Sequence, residues 1–149
     1  LKYHNKKKLS IAAAKVFYEY IQELNLSDEY VIIPVPISKE RKKERKYNHM
    51  DLVADELAIF SGYKTVKNLI IRVKDTQKQY KLHKSERIKN IKGAFEINEN
   101  IELEKDTLLL LIDDITSTGI TIEENIKALQ KSGYNNIIAI ALSTPDIWN

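Results

Sequence analysis

Apolar residues recur along the chain with two different patterns. Spacings of three and four residues predict an amphipathic helix over residues 10–25 and a second helix from Met50 to Ala58, which ends at Gly62. Short β-branched or leucine-rich runs instead predict strands. These runs lie at residues 30–35, 69–73, 94–97, 108–112 and 137–142. Strands and helices therefore alternate from one end of the chain to the other.

The last predicted helix covers residues 122–131. Thr121 and Glu124 have the spacing of a capping box at its start, and Gly133 marks its end. Just before it, the run Leu108–Ile112 (LLLLI) has the composition of a strand buried on both faces. Together the patterns predict a single α/β domain over residues 1–149, with a mostly parallel, Rossmann-like sheet flanked by helices.

Composition removes several kinds of chemistry. The 149 residues include 0 cysteines, which excludes thiol nucleophiles, zinc ribbons and iron–sulfur clusters and fits a reducing compartment. The longest apolar run, Ile137–Leu142, is far shorter than the ~18 residues of a membrane-spanning helix. We expect a soluble, cytoplasmic protein without a membrane span.

Basic residues are concentrated in two stretches although the net charge is only +3. Lys39–Lys46 (KERKKERK) has six basic and two acidic residues, and residues 74–92 add seven basic residues. Both stretches suit contact with a polyanion, and the alternative is a solvated helix face with internal Glu–Lys pairs. Residues 74–92 are also long for a plain connection, which favours a flexible lid.

Parallel α/β folds bind ligands beyond the carboxyl ends of their strands. Two junctions lie there: the PVPIS turn at residues 34–38 and the DDITSTGIT segment at residues 113–121. In the second, Asp113 and Asp114 leave a buried strand, and a loop rich in Ser, Thr and Gly leads directly into a helix. Such a loop suits a phosphate, and the adjacent carboxylates suit a sugar diol or a hydrated Mg²⁺. The alternative is a simple N-cap at Thr121 beside solvated acids.

The four glycines exclude two other nucleotide-binding patterns. They lie at positions 62, 93, 119 and 133, so neither the GxxxxGK[ST] P-loop nor the GxGxxG dinucleotide fingerprint is present.

The segment LLLLIDDITSTGIT resembles the phosphoribosyl-pyrophosphate (PRPP) motif of type I phosphoribosyltransferases. The segment VIIPVPISKERKKERKYNH, together with Arg72, Arg87 and GAF at Gly93–Phe95, narrows the resemblance to the competence protein F (ComF) family. Two features depart from that family: the four-cysteine zinc ribbon that often precedes the domain is absent, and the usual RGFNQ-like segment reads RKYNH, ending at His49.

The resemblance implies a fold and a set of roles. The fold would be that of type I phosphoribosyltransferases with a flexible lid. Asp113 and Asp114 would bind the ribose hydroxyls. The 5′-phosphate would be bound by the rest of the PRPP motif, which comprises Thr116, Ser117, Thr118, Gly119, Ile120 and Thr121. The pyrophosphate would be bound by Pro36, Ile37 and Ser38.

The same resemblance implies the chemistry. Arg72 and Lys74 would act as catalytic cations beside Asp113 and Asp114, and the lid would contribute Thr76, Gln79 and Arg87. Mg²⁺ would be the cofactor, bound through PRPP oxygens and water with no direct protein ligand. Phosphoribosyl transfer passes through an oxocarbenium-like state, so cations and Mg²⁺ would stabilise the departing pyrophosphate while the lid excludes water.

Two functions from different classes remain open. The first is a phosphoribosyltransferase. Purine phosphoribosyltransferases of this type often have an acid at the position of Ser117, so the sequence does not identify the acceptor substrate. The second reading is a catalytically weak module for PRPP or nucleic acid in DNA uptake. Expected partners are PRPP and, as alternatives, single-stranded DNA, a competence helicase or a second copy of the chain.

Overall fold

The computed structural model describes residues 2–26, 28–37, 48–74, 84–115 and 119–143. The helices are α1 (Lys2–Glu23), α2 (His49–Ser61), α3 (Lys84–Ile91) and α4 (Ile120–Lys131). The strands are β1 (Val31–Pro34), β2 (Lys64–Thr65), β3 (Ile70–Arg72), β4 (Phe95–Ile97), β5 (Leu109–Ile115) and β6 (Ile137–Ser143). Within these ranges no helix combines the length and apolar composition that crossing a bilayer requires.

The main sheet has four parallel strands in the order β2-β1-β5-β6. β5 is an inner strand: Leu111 lies opposite Ile33 of β1 on one side and opposite Ala139 of β6 on the other. Because the strands are parallel, their carboxyl ends share one edge. The predicted mostly parallel sheet is confirmed. β3 and β4 form a separate antiparallel hairpin.

Two apolar cores lie on the two faces of this sheet. Leu110 and Ile112 pack with α1 and α2, whereas Leu109 and Leu111 pack with α4 and the hairpin. Successive residues of β5 thus point to opposite faces, and all four are fully buried. Burial of each such side chain contributes about 1.5–3 kcal/mol. The prediction that LLLLI forms a strand buried on both faces is confirmed.

The start of α4 differs from the prediction. The helix begins at Ile120, and its N-cap is Gly119 with φ 74°, without a side-chain hydrogen bond to the helix. The prediction of a capping box formed by Thr121 and Glu124 is therefore wrong, because Thr121 already lies inside the helix. Glu124 instead accepts a hydrogen bond from the backbone N–H of Gly93 at 3.5 Å.

Two further elements extend beyond the predicted pattern. α1 begins at Lys2 rather than near residue 10. Within the predicted lid, residues 84–91 form α3, which packs against α4 and ends at the fully buried Ile91. Residues 75–83 of that lid lie outside the described residues.

Candidate functional site

The candidate site begins where β1 and β5 end at the same edge of the sheet. The backbone N–H of Val35 donates to the carbonyl of Ile112 at 3.0 Å, which continues the β1–β5 pairing one residue beyond β1. Pro36 and Ile37 follow directly and are half-buried. Two of the predicted pyrophosphate residues therefore lie beside the strand that carries the acids.

Asp113 is held inside the sheet. It lies opposite Ala141 of β6, is only 8% exposed, and its Oδ1 accepts the backbone N–H of Asp114 at 2.8 Å. A buried carboxylate needs such hydrogen bonds to offset its lost hydration. The bond also fixes the orientation of Asp113 relative to its neighbour.

Asp114 is paired with a histidine from another element. Its Oδ2 lies 2.7 Å from Nε2 of His49, and the side chains are 30% and 19% exposed, respectively. An ionised carboxylate can only accept, so His49 donates through an Nε2–H. The pair connects α2 to the end of β5 and leaves Asp114 partly accessible.

The first turn of α2 orients this histidine. Asn48 is the N-cap: its Oδ1 accepts the backbone N–H of Met50 at 3.0 Å, and its Nδ2 donates to Asp51 at 3.3 Å. His49, the first helical residue, is thereby directed to the sheet edge. Sequence reasoning missed this role. The order of α2 after β1 was the available signal, since it brings the start of the helix to the same edge as the acids.

The segment after β5 returns as α4. Gly119 adopts the left-handed conformation that favours glycine, and an added Cβ there would meet no atom of the described, non-adjacent residues within 4 Å. The carbonyl of Gly119 accepts the N–H of Glu123 at 2.9 Å, which closes the first turn. Ile120 and Thr121 lie in that turn and are half-buried. The start of α4, which carries the positive end of the helix dipole, thus follows the acid pair closely in the sequence.

The predicted cations lie on or near the hairpin and on α3 rather than on the parallel sheet: Arg72 ends β3, and Lys74 follows it by two residues. The Arg72 guanidinium lies over the ring of Phe95, with its carbon 5.4 Å from the ring centroid. Nζ of Lys74 lies 3.5 Å from the carbonyl of Lys89 on α3. Arg87 is also on α3. The hairpin and α3 both pack against α4.

The remaining predicted site residues lie outside the described residues. These are Ser38, Thr76, Gln79, Thr116, Ser117 and Thr118.

A cavity of about 690 Å³ lies apart from the acid pair. Its lining comes from β4, the second half of α4 and the segment around Tyr134, and includes Phe95, Glu124 and Lys127 but neither aspartate nor His49. The hydrogen-bonded group of Asp113, Asp114 and His49 is what marks the sheet edge as the candidate site.

Comparison with known proteins shows the family and the fold of the chain. No protein-family model matches the chain. Competence protein F of Haemophilus influenzae is 34% identical over 106 residues, covering 71% of this chain and 46% of that protein. DNA utilization protein YhgH of Salmonella typhimurium is 29% identical over 140 residues, covering 89% and 59%. Competence protein ComFC of Bacillus subtilis is 32% identical over 104 residues, covering 70% and 40%.

The chain thus spans about half the length of these relatives. Among solved structures, a hypoxanthine phosphoribosyltransferase from Staphylococcus aureus superposes with a TM-score of 0.52 at 12% identity, over 98% of this chain and 73% of that one. The predicted fold class and family resemblance are confirmed: the chain is a homologue of competence protein F, ComFC and YhgH, and it has the fold of type I phosphoribosyltransferases.

Proposed function

We propose that this chain binds PRPP at the carboxyl edge of its sheet and transfers the phosphoribosyl group to an acceptor with release of pyrophosphate. The observation that carries the proposal is the Asp113–Asp114 pair near the end of the buried strand β5, which the glycine-capped start of α4 follows in the chain. The reaction would serve competence or DNA utilization, the roles that the names of the relatives give to those proteins.

The two acids would recognise the ribose. A sugar diol donates hydrogen bonds, and carboxylates accept them more strongly than neutral groups do. Asp114 is the more accessible of the two, at 30% of its side chain, and would make the main contact. Asp113, which is largely buried, would keep Asp114 in position through the bond to its backbone N–H.

His49 would act as a positioning residue for Asp114. Its Nε2–H donates to one carboxylate oxygen, which restricts rotation of the side chain and supports its negative charge. The ribose hydroxyls would then meet an acid that is already oriented. Less conformational freedom is lost on binding when the site is organised beforehand.

The start of α4 would bind the 5′-phosphate. Backbone N–H groups of the first helical turn and the positive end of the helix dipole both favour an anion. The open space around the α-carbon of Gly119 fits a phosphate that approaches the backbone closely. The same phosphate would also be bound by the other residues of the PRPP motif, which are Thr116, Ser117, Thr118, Ile120 and Thr121.

The departing pyrophosphate would lie between the turn after β1 and the hairpin. Pro36, Ile37 and Ser38 would offer backbone groups on one side. On the other side Arg72 and Lys74, joined by the lid residues Thr76, Gln79 and Arg87, would approach the anion. As the bond between the anomeric carbon and the pyrophosphate oxygen breaks, these cations would neutralise the negative charge that develops on the leaving group. A closed lid would exclude water from the oxocarbenium-like centre.

Neutralisation of pyrophosphate is also what a bound Mg²⁺ supplies. In the described part of the chain, no cluster of three or more His, Cys, Asp or Glu side chains is arranged to hold a metal ion. Adjacent carboxylates with a partly exposed Asp114 fit an ion that is held by PRPP oxygens and water.

A second candidate is a module that binds PRPP without efficient transfer. The observation in its favour is that the relatives carry the names of competence and DNA utilization proteins. Its partners would be single-stranded DNA or a competence helicase. Ser117, where purine enzymes of this type often have an acid, is poorly suited to activating a purine.

The deciding experiment is release of pyrophosphate from PRPP and Mg²⁺ with adenine, guanine, hypoxanthine and uracil in turn. Asp114→Asn, which is expected to bind PRPP more weakly, serves as the matched variant. Turnover that this variant loses supports the enzyme. Tight PRPP binding with no turnover above that of the variant favours the module.

A further inference from the structure

The first helix carries two apolar stripes, only one of which is covered. The inner stripe packs against α2 and the sheet, and its apolar members Ala14, Phe17 and Ile21 are at most 5% exposed. The outer stripe remains open on the surface: Leu9 is 71%, Val16 52%, Tyr20 49% and Leu24 40% exposed. Leu24 continues the helical turn, since its N–H donates to the carbonyl of Tyr20 at 3.1 Å.

The outer stripe has the spacing of a helix-pairing seam. When Ala13, which is half-buried and also contacts the inner core, is included, the members follow one another at intervals of four, three, four and four residues. This alternation places them along one side of a helix and is typical of residues that pack against a second helix. A stripe of large apolar residues over about 24 Å of helix is a common mark of an interaction surface.

Charge along the same helix changes sign near Val16. All the lysines lie in the first part, up to Lys15, and both acids, Glu19 and Glu23, lie in the last part. The first turn has no acid and the last turn has no base, which is the reverse of what the helix dipole favours. The charge order is therefore unfavourable for the dipole of α1, but it complements a helix that runs in the opposite direction.

We propose that the outer stripe of α1 binds α1 of a second copy of this chain, antiparallel, about a two-fold axis near Val16. Leu9 then faces Leu24 of the second copy, and Ala13 faces its Tyr20. Lys15 lies beside Glu19 of the second copy. A parallel pair would place lysines against lysines and is disfavoured by repulsion. Two-fold, self-complementary contacts are also the commonest way in which soluble proteins pair.

Cysteine cross-linking tests the geometry directly because the chain has no cysteine of its own. Val16→Cys places a thiol near the proposed axis, so two copies should be joined by a short bis-maleimide. Leu9→Cys is the matched control: in the antiparallel pair, two copies of position 9 are about 22 Å apart along the helix axis and should not react together. An equimolar mixture of Leu9→Cys and Leu24→Cys should cross-link.

Charge reversal gives an independent test by sedimentation. Lys8→Glu/Lys15→Glu makes one helix acidic, and Glu19→Lys/Glu23→Lys makes the other basic. Each variant alone should dimerise at least about tenfold more weakly than the parent, and their equimolar mixture should recover parental affinity. Circular dichroism confirms that each variant is folded.

The outcomes separate the possible occupants of the surface. The proposal is supported by a concentration-dependent species of twice 17.3 kDa together with the Val16→Cys cross-link. Equal cross-linking of Leu9→Cys with itself would overturn the antiparallel arrangement. A parent chain that stays monomeric at 100 µM, or a mixture that dimerises no better than either variant, would overturn pairing of copies and leave the surface to another partner.

Discussion

The end of β5 and the β3–β4 hairpin both carry residues assigned to PRPP, yet they are held by different interactions. β5 pairs with β1 as far as Ile112 and with β6 on its other side, where Asp113 lies opposite Ala141. The hairpin has three register pairs, and its Ile71 is 41% exposed. In the proposed site, the ribose would therefore be recognised by a part of the fold with strand partners on both sides, whereas the cations would belong to a part with fewer such constraints.

The difference in constraint between β5 and the hairpin suits the role proposed for each region. Ribose hydroxyls need acceptors at fixed positions, because hydrogen bonds weaken quickly as distance and angle change. Charge neutralisation by Arg72 and Lys74 depends less steeply on position. A rigid acid pair and an adjustable cationic hairpin would therefore let PRPP enter before the cations approach the pyrophosphate.

The largest expected effect is on stability. Leu110→Ala, which empties a fully buried position of β5, should lower the free energy of unfolding by about 2–5 kcal/mol. Ile71→Ala on the hairpin, at a position that is 41% exposed, is the contrasting change and should cost less than about 1 kcal/mol. Urea denaturation measures both values, and equal losses would show that the two regions are equally constrained.

The next effect concerns the acids. Asp114→Asn should weaken PRPP binding by about 1–3 kcal/mol, since a charged acceptor is lost. Asp55→Asn removes an acid that is also paired, with Lys67 at 2.8 Å, but away from the site, and should leave binding unchanged. Isothermal titration of both variants with PRPP and Mg²⁺ makes the comparison. Equal affinities would remove Asp114 from the site.

Substitutions at two glycines distinguish the effect of backbone strain from the effect of ligand contact. Gly119 and Gly62 have nearly the same φ, 74° and 75°, and open space around the α-carbon. Alanine at either position should cost about 1–2 kcal/mol of stability from the left-handed conformation. Only Gly119→Ala should also weaken binding of ribose 5-phosphate, and retained affinity in that variant would place the 5′-phosphate elsewhere.

The smallest effect concerns His49. His49→Leu removes the donor to Asp114 and should weaken PRPP binding by about 1 kcal/mol. His49→Gln, which keeps an N–H donor of similar reach, should restore most of that loss. If both variants bind PRPP equally, whether strongly or weakly, the hydrogen bond does not position the acid.

Features that depend on a local pattern of residues could be predicted from the sequence. The LLLLI run and the acids that follow it identified β5 and the candidate site, because an apolar run that ends in charge has few structural solutions. Gly62 likewise marked the end of α2, where its left-handed conformation is found.

Features that depend on distant contacts were not predictable in this way. His49 meets Asp114 across 65 positions of sequence, and no local pattern reports such a pair. α3 has a polar sequence and is held through packing on α4 and its buried end at Ile91. The capping box failed because Gly119 provides the N-cap by backbone conformation, two residues earlier than the side-chain pattern indicated.

The most direct test of the central claim is calorimetric titration of the parent chain with PRPP and Mg²⁺, beside separate titrations with ribose 5-phosphate and with pyrophosphate. A site built on the acid pair and the start of α4 predicts one PRPP per chain and measurable binding of ribose 5-phosphate alone. Binding of pyrophosphate without ribose 5-phosphate, or no binding of PRPP, would contradict the assignment of Asp113, Asp114 and Gly119 to a phosphoribosyl site.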